Sequence, residues 1–382
     1  MRIATRKSPD LSRIRHALAS VQDPEIHRPI TELGMLKDVQ VDADGVVTVV
    51  VWLTVAGCPM RETITRDVTA AVSAVDHVAG VRVELDVMSA EQRKALQTQL
   101  RGGAAEPEIP FAKPESLTRV FAVASGKGGV GKSSVTVNLA AALARRGLSV
   151  GVLDADIYGH SVPRMLGVEG RPTQVEQMML PPEAYGIKVM SIGMFTEGNT
   201  AVVWRGPMLH RALQQFLADT FWGELDVLLM DLPPGTGDIA ISVAQLVPTA
   251  EILIVTTPQL AAREVAERAG SIALQTHQRI AGVVENMSWL ELPDGSRIEP
   301  FGSGGGQAVA ESLSRLTGTT VPLLGSIPMD VALREGGDSG RPLVLTDPAS
   351  PAAAALLQVA EGIAVRKQGL AGRSLGLTPV RH

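Results

Sequence analysis

Along the first ninety positions apolar residues recur in short runs of two different periods. Leu11 to Leu18 spaces them as one face of a helix. Met35 to Val41 and Val46 to Val55 read as strands joined by the turn signal Asp42-Ala43-Asp44-Gly45. Cys58-Pro59 opens a helix, with Pro59 suited to its first position, and Val81 to Val87 alternates as a third strand. The pattern predicts a small α/β domain over 1–90. From Ser89 to Ser116 the chain turns polar, with Arg101-Gly102-Gly103-Ala104-Ala105-Glu106-Pro107, Pro110 and Pro114 in its second half, so 91–116 reads as an exposed linker.

After Leu117 the runs become almost continuously apolar: Val120 to Ala124, Val150 to Leu153, Val227 to Met230, Ile252 to Thr256, Ile280 to Val284 and Val321 to Ile327. Helix-like stretches separate them, such as Ser133 to Arg146 before Gly147. Strands with no polar face, alternating with helices, predict a mainly parallel sheet covered by helices on both faces. This larger α/β domain spans 117–367, and the polar 368–382 reads as a tail.

Composition narrows the function classes. A net charge of −5 gives no global field toward nucleic acid, and an aromatic content of 3% leaves few rings for base stacking. The single cysteine, Cys58, excludes an intrachain disulfide and fits a reducing, cytoplasmic setting. The N-terminal residues, with Arg2, Arg6 and Lys7, lack the apolar segment of a signal peptide, and no uncharged apolar run is long enough for a bilayer. Neither nucleic acid nor membrane is an expected partner.

Chemistry concentrates after the first strand of the large domain. Val120 to Ala124 leads into Gly126-Lys127-Gly128-Gly129-Val130-Gly131-Lys132-Ser133-Ser134, a phosphate loop in strand–loop–helix context. Glycines let backbone N–H groups turn inward as an anion nest, and the following helix adds its dipole. Lys132 is placed for the β- and γ-phosphates of ATP, and the Ser133 hydroxyl for Mg²⁺. Strand Val150 to Leu153 ends in Asp154-Ala155-Asp156, where side chains enter the ligand crevice. Asp156 is placed to orient or deprotonate the attacking water, and Asp154 to support Mg²⁺ or Lys132; a pair of helix-capping aspartates is the alternative. Asp231, after Val227 to Met230, fits the Walker B acid that holds Mg²⁺. In the following Pro233-Pro234-Gly235-Thr236-Gly237, Gly235 is placed to offer its N–H to the γ-phosphate.

The variant loop, with Lys127 after its first glycine, resembles the deviant Walker A ATPases, the group of MinD, ParA and the nitrogenase iron protein. That resemblance implies a face-to-face homodimer in which Lys127 reaches the partner's nucleotide, and an Asn286 that hydrogen-bonds the adenine edge. More specific segments are Asp154-Ala155-Asp156-Ile157-Tyr158-Gly159, Arg205-Gly206-Pro207-Met208, Asn286-Met287-Ser288 and Phe301-Gly302-Ser303-Gly304-Gly305-Gly306. Together they resemble the Mrp/ApbC family of iron–sulfur cluster carrier ATPases. Asp23-Pro24-Glu25, Glu32-Leu33-Gly34 and Thr54-Val55-Ala56-Gly57-Cys58-Pro59 resemble the small iron–sulfur assembly domain often fused ahead of it.

The resemblance implies slow, Mg²⁺-dependent ATP hydrolysis and transfer of an iron–sulfur cluster to apo client proteins or assembly factors. Many members carry a Cys-x-x-Cys pair after the Asn-Met-Ser segment; here Trp289 to Ser296 contains no cysteine. Cys58 is then the one thiol per chain for a cluster, at a predicted helix N-terminus that would lower its pKa. The alternative for Cys58 is a small buried apolar residue. Alternative functions are a MinD/ParA-like positioning switch, which the alanine-rich 351–367 serves poorly as a membrane anchor, and an assembly ATPase that holds no cluster itself. An electron-donating ATPase is disfavoured by the missing cysteines.

Overall fold

The computed structural model describes residues 9–55, 58, 60–101, 108–113, 115–156, 161–195, 206–235, 238–259 and 262–364. Arg2, Arg6, Lys7, Ala56-Gly57, Pro59, the linker 102–107, Pro114, Ile157-Tyr158-Gly159, Arg205, Thr236-Gly237, the end of the large domain after Ala364 and the tail 368–382 lie outside the described residues.

In the small domain, helix α1 (Leu11–Leu18) is capped by Asp10, whose carboxylate accepts the Ser12 N–H, and buries Ile14 and Leu18. Strands β1 (Leu36–Val41) and β2 (Val46–Leu53) pair antiparallel. Alternation in β2 is strict: Val47, Val49, Val51 and Leu53 face the core. Helix α2 (Arg61–Ser73) adds Ile64, Val68 and Val72, and β3 (Gly80–Val87) runs parallel to β2.

Two expectations need correction here. Helix α2 begins at Arg61 rather than at Cys58-Pro59. Residues 90–100, read as the start of a linker, form helix α3 (Ala90–Leu100), which buries Leu96 in the small-domain core. Its polar composition hides a capping box: the Ser89 hydroxyl accepts the Gln92 N–H, and the Gln92 side chain accepts the Ser89 N–H.

The large domain begins with β4 (Arg119–Ala124), α4 (Lys132–Arg145), β5 (Val150–Asp154) and α5 (Val162–Met165). Two hairpins follow, β6 (Thr173–Val175) with β7 (Met178–Leu180) as a separate two-stranded sheet, and β8 (Glu183–Ala184) with β9 (Ile187–Ser191) in the main sheet. Next come α6 (Gly206–Ala218), β10 (Val227–Asp231), α7 (Asp238–Leu246), β11 (Glu251–Thr256), α8 (Ala262–Thr276) and β12 (Ile280–Glu291). The domain closes with β13 (Arg297–Ile298), α9 (Gly305–Thr317), β14 (Leu323–Met329), α10 (Val331–Asp338), α11 (Leu343–Thr346) and α12 (Pro351–Ala364).

The sheet order is β8-β9-β5-β10-β4-β11-β12-β13, with β14 also paired to β12. Only β8 and β13 run antiparallel, at or beside the margins, so the sheet is mainly parallel as expected. Every residue of β5 and β10 is buried, which requires cover on both faces. No helix of the described residues is long and apolar enough to cross a membrane.

The two domains meet at the β6–β7 hairpin. Val175 and Leu180 of the hairpin belong to the small-domain core. Around them Thr173 donates to Glu25 (2.7 Å), Arg93 pairs with Glu176 (2.8 Å) and His27 lies 3.0 Å from Glu183. Partly exposed pairs contribute at most about 1 kcal/mol each, whereas a buried Val or Leu contributes about 1.5–3 kcal/mol. The apolar insertion dominates the contact.

Candidate functional site

The site lies at the carboxyl ends of the central parallel strands. Asp231 ends β10 in register with Asp154 of β5, which is itself in register with Ser191 of β9. Parallel pairing therefore delivers two acids and a hydroxyl side by side, facing the loop after β4.

That loop, Gly126 to Gly131, has the left-handed backbone its glycines permit: φ is +80° at Gly129 and +78° at Gly131. Gly131 has a second constraint. A Cβ there would come within 2.3 Å of Asn286 Nδ2. Asn286 is buried, and its amide donates to Val130 O at 2.9 Å, tying β12 to the phosphate loop. A cavity of about 210 Å³ lies between Gly128–Ser134 and Asp156, Ser161, Met165 and Pro234. Its size suits the polyphosphate end of a nucleotide. A larger cavity of about 920 Å³, near His27, Lys188 and Trp222, is away from this chemistry.

Lys132 is 6% exposed, and its ammonium is 2.8 Å from Asp231 Oδ2. By distance that is an ion pair, yet the ammonium makes no well-directed hydrogen bond. A buried cation with unused donors beside a backbone nest fits a phosphate group. Ser133 Oγ donates to the same Asp231 Oδ2 at 2.6 Å. Hydroxyl and carboxylate are hard oxygen donors of the kind Mg²⁺ takes, so these residues also fit the cation.

Asp154 is fully buried. Its Oδ1 accepts the Asp156 N–H (3.1 Å), and its Oδ2 accepts the Val162 N–H (3.3 Å) and the Ser191 hydroxyl (3.1 Å). Burial first, and then the neighbouring Asp231 charge, push its pKa up to about 8 against those donors. Lys132 pairs with Asp231, and Asp154 holds the Asp156 and Val162 N–H groups. A raised folded pKa gives stability that is complete below the ordinary value of 3.8 and is lost as pH rises through about 8. In EDTA without nucleotide, the thermal midpoint should therefore fall from pH 5 to pH 8 with a contribution from Asp154, and Asp154→Asn should flatten the slope. Equal slopes in melts of the two proteins would contradict this assignment.

Asp156 is buried at the edge of the same cavity. Lys127 donates to the side-chain oxygen of Gln259 in its own chain. The Gly235 N–H, expected to face the γ-phosphate, instead donates to Ser125 O at 2.9 Å, so that donor is engaged within the chain. Motif reading missed Ser191, Gln259 and Thr136; the hydroxyl of Thr136 donates to Asp231 Oδ1 at 2.8 Å. The signal for Thr136 was its spacing of four from Lys132, which puts both on one helix face.

Cys58 lies in the small-domain core, 5% exposed, apart from the phosphate site. The expectation of a lowered thiol pKa is overturned: burial first, with the Glu25 and Asp23 charges adding, pushes it up against the Met60 N–H and Arg61. With α2 starting at Arg61, desolvation outweighs any helix-end field. The described residues contain no group of three or more His, Cys, Asp or Glu side chains arranged for a metal ion.

Residues 116–364 match the family model described as NUBPL iron-transfer P-loop NTPase, and residues 11–85 match that of iron-sulfur cluster assembly protein. The chain is 67% identical over 369 residues to a Mycobacterium tuberculosis protein named iron-sulfur cluster carrier protein, covering 97% of each. It is 41% identical over 355 residues to a protein of the same name from Synechocystis sp., covering 91% of this chain and 95% of that one. Among solved structures it resembles a nucleotide-binding protein from Archaeoglobus fulgidus in complex with ADP. The TM-score is 0.51 and the identity 36%, over 62% of this chain and 90% of that one.

Proposed function

Because the chain belongs to the NUBPL iron-transfer P-loop NTPase family, we propose that it is an ATP-hydrolysing carrier of iron–sulfur clusters for apo client proteins. The observation that carries the ATPase part is the buried ammonium of Lys132, its donors unused, between a glycine nest and Asp231.

In this reading the amides of Gly128 to Ser134 and the Lys132 ammonium hold the phosphates of ATP. Ser133 and Asp231 would hold Mg²⁺, with Asp154 behind them. Bound Mg²⁺ supplies charge neutralisation on the phosphate oxygens. Asp156 takes a proton from the attacking water as its oxygen bonds to the γ-phosphorus and the bond to the β-phosphate oxygen breaks, giving ADP and phosphate. Asn286, whose amide N–H donates to Val130 O, is assigned to the adenine edge on the family resemblance. Release of the Gly235 N–H from Ser125 would let that loop follow the γ-phosphate.

The working unit is a homodimer. On assembly Lys127 leaves Gln259 and reaches the partner's nucleotide, adding positive charge where it develops in the transition state. The cluster is cargo. Cys58 is the only thiol of each chain, so a dimer contributes two and the remaining ligands come from a client, an assembly partner or exogenous thiols.

Two measurements test this reading in separate parts. After anaerobic reconstitution, iron and labile sulfide should load on the wild type and be lost in Cys58→Ala, with ATP hydrolysis retained. No loading in the wild type would remove the cluster, and equal loading in both would remove Cys58 as its ligand; either result leaves the ATPase untouched. Mixing Lys127→Ala with Asp156→Ala chains should raise turnover above either variant alone, because one site of each heterodimer regains both groups. Failure to complement would remove the trans role of Lys127.

A further inference from the structure

We propose that Thr136 is a positioning residue that fixes the rotation of the Asp231 carboxylate and so sets the affinity of the phosphate site for a divalent cation. The inference rests on Asp231 being the cation-side acid. In helix α4, Thr136 follows Lys132 by one turn and Ser133 by three residues, so all three face the end of β10. Thr136 is fully buried, as is Asp231.

The two carboxylate oxygens divide their partners. Among the described residues Oδ1 accepts only the Thr136 hydroxyl (2.8 Å), whereas Oδ2 accepts the Ser133 hydroxyl (2.6 Å) and lies 2.8 Å from the Lys132 ammonium. One oxygen is thus anchored on the helix, and the other is presented to the groups of the phosphate site. An Asp χ2 torsion is broad and roughly two-fold when nothing holds it. The anchoring bond removes that freedom.

The Thr136 hydroxyl is also 3.0 Å from Lys132 O, the ordinary back-bond of a helical threonine. Its single hydrogen favours the ionised oxygen, because charge-assisted bonds are the stronger. Removing the hydroxyl leaves Oδ1 buried without a donor among the described residues, and the carboxylate turns to seek one. A group acting through a ligand in this way typically alters metal affinity by about 10–100-fold.

The test is binding of a fluorescent ADP analogue to the full-length protein across a Mg²⁺ series and in EDTA. Thr136→Val, which keeps the side-chain shape, should raise the Mg²⁺ concentration for half-maximal enhancement by about tenfold. Its affinity in EDTA should match the wild type, and Thr136→Ser should restore the wild-type Mg²⁺ response. An unchanged Mg²⁺ response in Thr136→Val overturns the proposal. So does an equal loss in EDTA, which would mark a purely structural role, or a failure of Thr136→Ser to restore the response. Should Thr136→Val not fold, Thr136→Ala removes the same bond and is judged by the same comparison. A wild type whose nucleotide affinity ignores Mg²⁺ overturns the reading of Asp231 itself, a result visible before any variant is made.

Discussion

Lys132→Ala is expected to weaken nucleotide binding by at least about a hundredfold and to destabilise the fold as well. The first effect follows from removing a buried ammonium that lines the phosphate cavity. Hydrogen bonds to charged groups contribute about 1.5–3 kcal/mol each, so losing two already accounts for the change in Kd. The second effect has a separate cause. Asp231 and Asp154 end adjacent strands in register, both fully buried, and Lys132 is the cation paired with Asp231. Removing one partner of a buried ion pair costs about 3–5 kcal/mol, because the remaining charge is stranded. Lower pH should return part of that stability, since Asp154 takes up its proton as pH falls below about 8. Titration with a fluorescent nucleotide and thermal melts at pH 5 and pH 8 check both halves. Near-wild-type affinity in Lys132→Ala would refute the site.

Asp156→Ala should do the opposite: keep ATP bound and slow its hydrolysis by about 10²–10⁴-fold, the usual contribution of a positioned proton acceptor. Asp156 lines the phosphate cavity, and its N–H is held by Asp154. Its side chain thus borders the cavity proposed for the phosphates. Single-turnover quench of preloaded protein separates the two quantities. An unchanged chemical rate, or a rate that falls only because ATP no longer binds, would remove Asp156 from the reaction.

The phosphate loop and its acids were legible because each depends on a local rule. Gly129 and Gly131 take a backbone that other residues adopt at a cost, and Asp154 and Asp231 follow unbroken apolar strands. Where the sequence misled, burial of polar groups was the reason. Strand β12 was read as ending at Val284 because Glu285, Asn286 and Ser288 follow, yet it continues to Glu291. Those polar side chains are buried and satisfied: Glu285 accepts the Gly306 N–H (2.6 Å) and the Ser288 hydroxyl (2.9 Å), and Asn286 holds Val130. Two of these partners, Gly306 and Val130, lie far along the chain, and no periodicity announces them.

The same account explains the Phe301 to Gly306 segment, which stood in the sequence only as a family mark. Gly305 passes so close to Pro258 that a Cβ would lie 2.4 Å from its carbonyl oxygen, and the Gly306 N–H reaches Glu285. The start of α9 is thereby docked against Pro258, just after β11, and Glu285 of β12. Helix α3 failed for the converse reason: its surface is mostly polar, and its single strong signal, the Ser89–Gln92 box, is two residues in an otherwise linker-like stretch. For Cys58, the proximity of a helix was foreseeable, but the desolvation that governs its thiol depends on a core assembled from distant residues.

The insertion of Val175 and Leu180 into the neighbouring domain bears on how the two domains can be separated. A cut near Arg101 would leave the P-loop NTPase half carrying two bare aliphatic side chains on a short hairpin, an invitation to aggregation that the intact polypeptide hides. The halves are better regarded as co-dependent in expression and purification. Their shared seam also means that any motion lifting one from the other must first wet that hairpin.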